Sequence, residues 1–200
     1  MTEPAVAAVL FDLDGVLIDS YQVWFSLLNG ACSDWGYPAI SAEVFDAAWG
    51  QGVQADRESL FPRQSVAELE AYYAAHFKDH WSRLETAPEV PAVFAHIAMR
   101  GLPTAVITNT PNPLASELVE RAGAKPDLVV GGTDVPRAKP APDMVLHAAE
   151  RLGVDVARAL VVGDSSFDRD AARAAGSRFA GLGIEGDITL KRLDELRAFL

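Results

Sequence analysis

Two carboxylates, two residues apart, close an apolar run. Residues 6–11 lead into Asp12-Leu13-Asp14-Gly15. Side chains at i and i+2 of an extended segment share a face, so Asp12 and Asp14 are expected to point the same way as the strand runs out. Gly15 then lets the backbone turn sharply. Two acids on one side of a buried strand end are costly unless a cation or a proton compensates them. The chemistry open to them is Mg²⁺ binding, or attack by one carboxylate with acid–base work by the other.

Two more apolar runs end in polar residues. Residues 104–107 run into Thr108-Asn109-Thr110, and residues 159–162 into Gly163-Asp164-Ser165. In open α/β sheets the ligand crevice lies outside the carboxyl ends of the strands, so these groups meet if the strands are neighbours. Lys139, just ahead of a helix opened by Pro140-Ala141-Pro142-Asp143, can enter the same space. It is one of only four lysines in 200 residues of net charge -11. A chain this acidic must create positive potential for an anionic ligand with a metal, a placed lysine or helix N-termini. The same acidity argues against a nucleic-acid surface, which needs a basic face.

The elements that would position these residues follow from periodicity. Leu17, Tyr21, Trp24 and Leu28 recur at helical spacing, as do Val66, Leu69, Tyr73, Phe77 and Trp81. Ser41 caps a short helix with Val44, Phe45 and Ala48 on its apolar face, and Gly50-Gln51-Gly52 breaks it. Residues 17–84 therefore read as all-helical. From about residue 88 the rhythm changes to helices alternating with strands near 104–107, 127–130, 159–162 and 178–182. A last helix spans about 189–199. Such alternation implies a parallel sheet covered on both faces. The expected fold is α/β, a Rossmann-like doubly wound parallel sheet core (residues 1–16 and 85–200) with an inserted all-helical cap (residues 17–84). Hinges are expected near Val16-Leu17 and residues 84–89.

Half the residues are apolar, enough for a proper core, and Cys32 is the only cysteine, so no intrachain disulfide forms. Residues 1–8 lack a basic region followed by an apolar stretch of signal-peptide length, and no run approaches the roughly 18 apolar residues of a membrane span. The expectation is a soluble, cytoplasmic protein without a membrane partner.

Taken together, Asp12-Leu13-Asp14-Gly15-Val16, Thr108-Asn109, Lys139 and Gly163-Asp164-Ser165-Ser166-Phe167-Asp168 resemble the four motifs of haloacid-dehalogenase-superfamily phosphatases. The likeness covers nearly the whole chain. A helical cap between the first and second motifs, and the stretch 137–143 with Lys139-Pro140, resemble the phosphoglycolate phosphatase and β-phosphoglucomutase branch. The dehalogenases of the superfamily lack the second acid of the first motif, so Asp14 favours phosphoryl transfer.

The resemblance implies that Asp12 attacks phosphorus and forms an aspartyl phosphate, and that Asp14 protonates the leaving oxygen and then activates water. It assigns Mg²⁺ to Asp12, the Asp14 carbonyl and Asp164. Thr108, Asn109 and Lys139 would bind phosphate, with Ser165 and Asp168 in support. Asp168 would hold Lys139 or touch a metal-bound water, while also fitting a helix start. The expected partner is a small anionic phosphorylated metabolite, hydrolysed. The alternatives are a sugar-phosphate mutase and a noncatalytic phosphate-ligand binder.

Four further features invite a reading. His76 and His80 lie four apart beside Asp79, a spacing that can bind zinc, yet a third ligand is lacking and a polar helix face is expected. Cys32 is expected to pack near a cap turn. The stretch after Gly50-Gln51-Gly52 reads as a loop over the crevice, with Gln54 and Arg57 touching the leaving group. Trp24, on the first helix of the cap, can line the same crevice, but its helical spacing favours core packing.

Overall fold

The structure is a computed structural model in which residues 5–200 are described; the N-terminal reading of residues 1–8 lies partly outside them. The sheet is built from β1 (Ala8–Phe11), β4 (Thr104–Ile107), β5 (Leu128–Val130), β6 (Ala159–Gly163), β7 (Arg178–Leu182) and β8 (Ile188–Leu190). Its order is β5-β4-β1-β6-β7-β8 and every pairing is parallel. β1 is thus central, between β4 and β6, which is why the polar ends of those three strands converge.

Period-two alternation divides the strand residues between two cores. Val9, Phe11, Val106, Leu160 and Val162 pack on one face with α5 (Val90–Met99), α6 (Leu114–Arg121) and the closing 3₁₀ segment Leu193–Phe199. Leu10, Ala105, Ile107, Ala159 and Val161 pack on the other with α7 (Asp143–Leu152) and α8 (Ser166–Ala175). The expected doubly wound sheet is present.

One element departs from the sequence expectation. The helix expected from about residue 189 is instead β8 followed by the 3₁₀ segment. Ile188 and Leu190 are buried while Thr189 is exposed, the alternation of an edge strand. A three-residue strand is too short to show that period in the sequence.

Between β1 and β4 lies the helical insert: α1 (Tyr21–Trp35), α2 (Ala42–Ala48), α3 (Val53–Ser59), α4 (Val66–His76) and a 3₁₀ segment, Phe77–Arg83. The segment read as all-helical begins with a strand, β2 (Ile18–Asp19), which pairs antiparallel with β3 (Glu85–Thr86). The two chain crossings into and out of the insert are therefore tied to each other. The insert is aromatic: Trp24 stacks edge-on against Tyr73 and Phe77, and Tyr21 against Phe45. Phe45 is buried, whereas Val44, expected beside it, is largely exposed. Cys32 is buried in the last turn of α1, its carbonyl accepting from Gly36 N and Tyr37 N of the turn that follows, as expected. Among the described residues, no helix is long and apolar enough to cross a membrane.

Candidate active site

The ends of β1, β4 and β6 and the loop before α7 surround a cavity lined by Asp12, Asp14, Thr108, Asn109, Thr110 and Lys139. Lys139 is 3% exposed and its Nζ donates to Asp12 Oδ1 at 2.7 Å, Asp168 Oδ1 at 2.5 Å and the Ile107 carbonyl at 3.1 Å. All three ammonium protons are thereby used. Burial alone would lower the Lys139 pKa, but the charges of Asp12 and Asp168 override it and hold the ammonium above its usual range. Burial pushes the Asp12 carboxyl well up, and the Asp168 charge adds to that against the pull of Lys139.

Asp168 does both things that the sequence allowed. Its Oδ2 accepts from Ser165 N at 3.1 Å and from Ser165 Oγ, closing the capping box that starts α8. Its Oδ1 holds Lys139. Ser165 thus orients the residue that orients the lysine.

Asp14 sits in a separate cradle. Its Oδ2 accepts from Thr110 Oγ1 at 2.7 Å and Thr108 Oγ1 at 3.3 Å, and its Oδ1 from Trp24 Nε1 at 3.0 Å and Ser20 Oγ. The strand ends at Phe11, so Asp12 and Asp14 share a cavity but no partners. Thr110 was not legible as a site residue, and Trp24, which the sequence allowed at the crevice, was expected rather in the core. Trp24 has the helical spacing of a core residue, and only tertiary packing turns its N–H to Asp14.

Asn109 carries a different load from the one expected. Its Nδ2 donates to the Gly50 carbonyl at 2.8 Å and the Lys139 carbonyl at 3.0 Å, and its Oδ1 accepts from Lys139 N at 2.8 Å. The side-chain amide is committed to holding the lysine loop and the insert together, so its side-chain protons are not free for phosphate. Gly50 and Gly52 allow that close approach. A Cβ at Gly52 would stand 2.9 Å from Ala138 Cβ. The glycines serve contact of insert with core.

Gln54 and Arg57 are not brought to the cavity. The stretch read as a loop is helix α3, whose inward positions are Val53 and Asp56. Gln54 faces out and bonds Glu58 Oε1 at 2.5 Å, and Arg57 donates to the Gln64 carbonyl at 3.4 Å. Val53 and Asp56 are buried, whereas Gln54 and Arg57 are exposed. His76 pairs with Asp79 at 3.2 Å on the surface.

The carboxylates of Asp12, Asp164 and Asp168 each place an oxygen within 4.8 Å of the others, a grouping able to hold a metal ion. Asp168 is already committed to Lys139 and Ser165. Asp164 is not. Its Oδ2 accepts from Trp49 Nε1 at 3.3 Å, but its Oδ1 is buried without a partner. Burial and the charge of Asp168 push the Asp164 carboxyl up to about 6. Four carboxylates and one ammonium leave an excess of negative charge, and an orphaned carboxylate oxygen fits a hard cation. The residues fit the expected metal.

Gly15 makes room for Asp164. Its φ is +79°, and a Cβ there would lie 1.9 Å from Asp164 Oδ2. Gly15→Ala is therefore expected to lower stability by about 2–4 kcal/mol through strain and collision together. A denaturant melt checks this; a wild-type midpoint would mean that Asp164 can move aside freely.

The model of the haloacid dehalogenase-like hydrolases matches residues 9–182, and the chain belongs to that family. A phosphoglycolate phosphatase of Neisseria meningitidis is 36% identical over 202 residues, covering 95% of this chain and 86% of the relative. Among solved structures, CbbY from Rhodobacter sphaeroides, in complex with phosphate, superposes with a TM-score of 0.82 at 23% identity, covering 96% of each chain. The β-phosphoglucomutase of Clostridium difficile superposes with a TM-score of 0.80 at 17% identity, covering 96% of this chain and 93% of that one. At these identities the two structures speak for the fold.

Proposed function

We propose that the chain is a Mg²⁺-dependent phosphomonoester hydrolase of small phosphorylated metabolites, acting through an aspartyl phosphate. The observation that carries this reading is Asp12 held by a fully committed Lys139 beside Asp164 with its unpartnered oxygen, all at the central strand ends of a haloacid dehalogenase-like fold. The relatives named phosphoglycolate phosphatase support a phosphomonoester as substrate.

Lys139 holds one oxygen of Asp12 and leaves the other for attack on phosphorus. The bond from phosphorus to the leaving oxygen breaks, and Asp14 gives that oxygen its proton. Asp14 then takes a proton from water, which attacks the aspartyl phosphate and frees inorganic phosphate and the Asp12 carboxylate. Asp14 Oδ2 suits this exchange. Its two partners are hydroxyls, which can accept as well as donate when the proton arrives. Mg²⁺, when bound by Asp12, the Asp14 carbonyl and Asp164, offsets carboxylate charge and polarises the phosphoryl oxygens. The backbone about Asn109 would meet the phosphate, and Thr108 would do so by exchanging its long bond to Asp14 for one to a phosphate oxygen.

Residues 17–84 are proposed as a cap that closes over the core and excludes bulk water, moving about the β2–β3 crossing. Asn109 to Gly50 and Trp49 to Asp164 are the bonds that such closure would make.

A phosphate-release screen over small phosphomonoesters tests the reading. Excess chelator is expected to abolish release and Mg²⁺ to restore it. Asp164→Ala is expected to raise the Mg²⁺ needed by about tenfold or more, since it removes the unpartnered ligand. Full activity in chelator would overturn the metal assignment.

A further inference from the structure

We propose that the leaving-group side of the cavity takes a cationic amino alcohol, so that the substrate is a small phosphomonoester bearing an ammonium, paired by Asp56 and flanked by aromatic rings. The inference rests on the phosphatase reading above and names its substrate class.

The insert side of the cavity is walled by Trp24, Phe45, Trp49, Gln51, Asp56 and Tyr73. Lys139 is the only cation among the lining residues, and its three protons are spent on Asp12, Asp168 and a carbonyl. A carboxylate on the leaving group would find no free cation there, and it would meet the carboxylate of Asp56.

Asp56 is the second observation. Among the described residues the buried charged side chains are Asp12, Asp56, Lys139 and Asp168. Three of them form one cluster in which Lys139 is the counter-ion of both Asp12 and Asp168. Asp56 is 8% exposed and its side-chain partners are neutral: Gln51 Nε2 donates to Oδ1 at 2.7 Å, and Tyr73 Oη to Oδ2 at 2.8 Å. A buried carboxylate without a counter-ion is unfavourable, and burial accordingly pushes the Asp56 carboxyl up to about 6. An ionised carboxylate offers about four lone-pair sites, so roughly two remain for a ligand. An ammonium there would supply the missing charge and fill those sites.

The rings place Asp56 within reach of the chemistry. Trp24 donates to Asp14 at 3.0 Å and packs edge-on against Tyr73, centroids 5.3 Å apart; Tyr73 in turn donates to Asp56. Asp56 and the carboxylate that protonates the leaving oxygen thus line one cavity and are joined through this ring pair. Aromatic rings beside a desolvated cation add to its binding.

Three esters on one two-carbon chain decide the matter: phosphoethanolamine, 2-hydroxyethyl phosphate and 2-phosphoglycolate. For the wild-type protein with Mg²⁺, kcat/KM is expected to fall in that order, by about tenfold or more between the ends, the scale of one partly desolvated ion pair. Asp56→Asn is expected to lower kcat/KM on the ammonium ester and raise it on the carboxylate ester, with a thermal melt confirming the fold. A preference of the wild type for either other ester, or an unchanged ratio in a folded Asp56→Asn, would overturn the inference and leave the phosphatase reading standing. Should the variant not fold, the wild-type order alone decides. No phosphate released from all three, nor from 4-nitrophenyl phosphate, would overturn the phosphatase reading itself and this inference with it.

Discussion

Asp12→Asn is expected to remove phosphate release, by at least about a thousandfold, while the protein stays folded. The amide has the shape of the carboxylate and still offers Lys139 an oxygen in place of Oδ1. Lys139 also keeps Asp168 at 2.5 Å and the Ile107 carbonyl at 3.1 Å, so the loop before α7 retains its anchors. What is lost is the nucleophile and one negative charge. Acid quenching of the wild type during turnover of a labelled ester should trap label on the protein, and Asp12→Asn should trap none. A folded variant with near wild-type release would end the covalent mechanism.

The converging strand ends were legible because each leaves a local signature. An apolar run of four or five residues followed by polar ones needs no tertiary knowledge, and the parallel alternation then places three such ends together. Lys139 stood out by scarcity and by its setting before a proline. What the sequence hid was decided by partners distant in the chain. Asn109 looks like a phosphate donor beside Thr108, yet its amide is consumed by Gly50 and Lys139, 59 and 30 residues away. The polar stretch after Gly52 looks like a loop because its one buried polar residue, Asp56, breaks the apolar period of a seven-residue helix. Reading it as a loop put Gln54 and Arg57 on the crevice, whereas the helix turns Asp56 there. Trp49 and Trp24 reach Asp164 and Asp14 through ring N–H groups that apolar periodicity counts only as bulk.

Lys139→Ala is expected to damage stability and turnover together. The substitution leaves Asp12 and Asp168, 5% and 0% exposed, buried side by side without their cation. Breaking a buried pair in this way costs about 3–5 kcal/mol, because the remaining charges are uncompensated. The pH dependence has a definite sign. Burial and Asp168 already push the Asp12 carboxyl up, and Lys139 is what opposes them. The folded protein already holds the Asp12 proton more tightly than the unfolded chain does, and removing Lys139 widens that difference. The loss of stability should therefore be greatest near neutral pH and shrink as acid protonates Asp12. Lys139→Arg separates charge from geometry. Arginine restores the positive charge but is longer and planar, and Nζ here meets three acceptors at 2.5–3.1 Å in a fully enclosed site. Lys139→Arg should recover part of the stability and little of the turnover. Urea melts at pH 5 and 7.5, with phosphate release at the higher pH, give both quantities for each variant. If Lys139→Ala melts at the wild-type midpoint at neutral pH, the two carboxylates do not both carry charge in the folded protein, and the lysine is not what permits Asp12 to act as an anion.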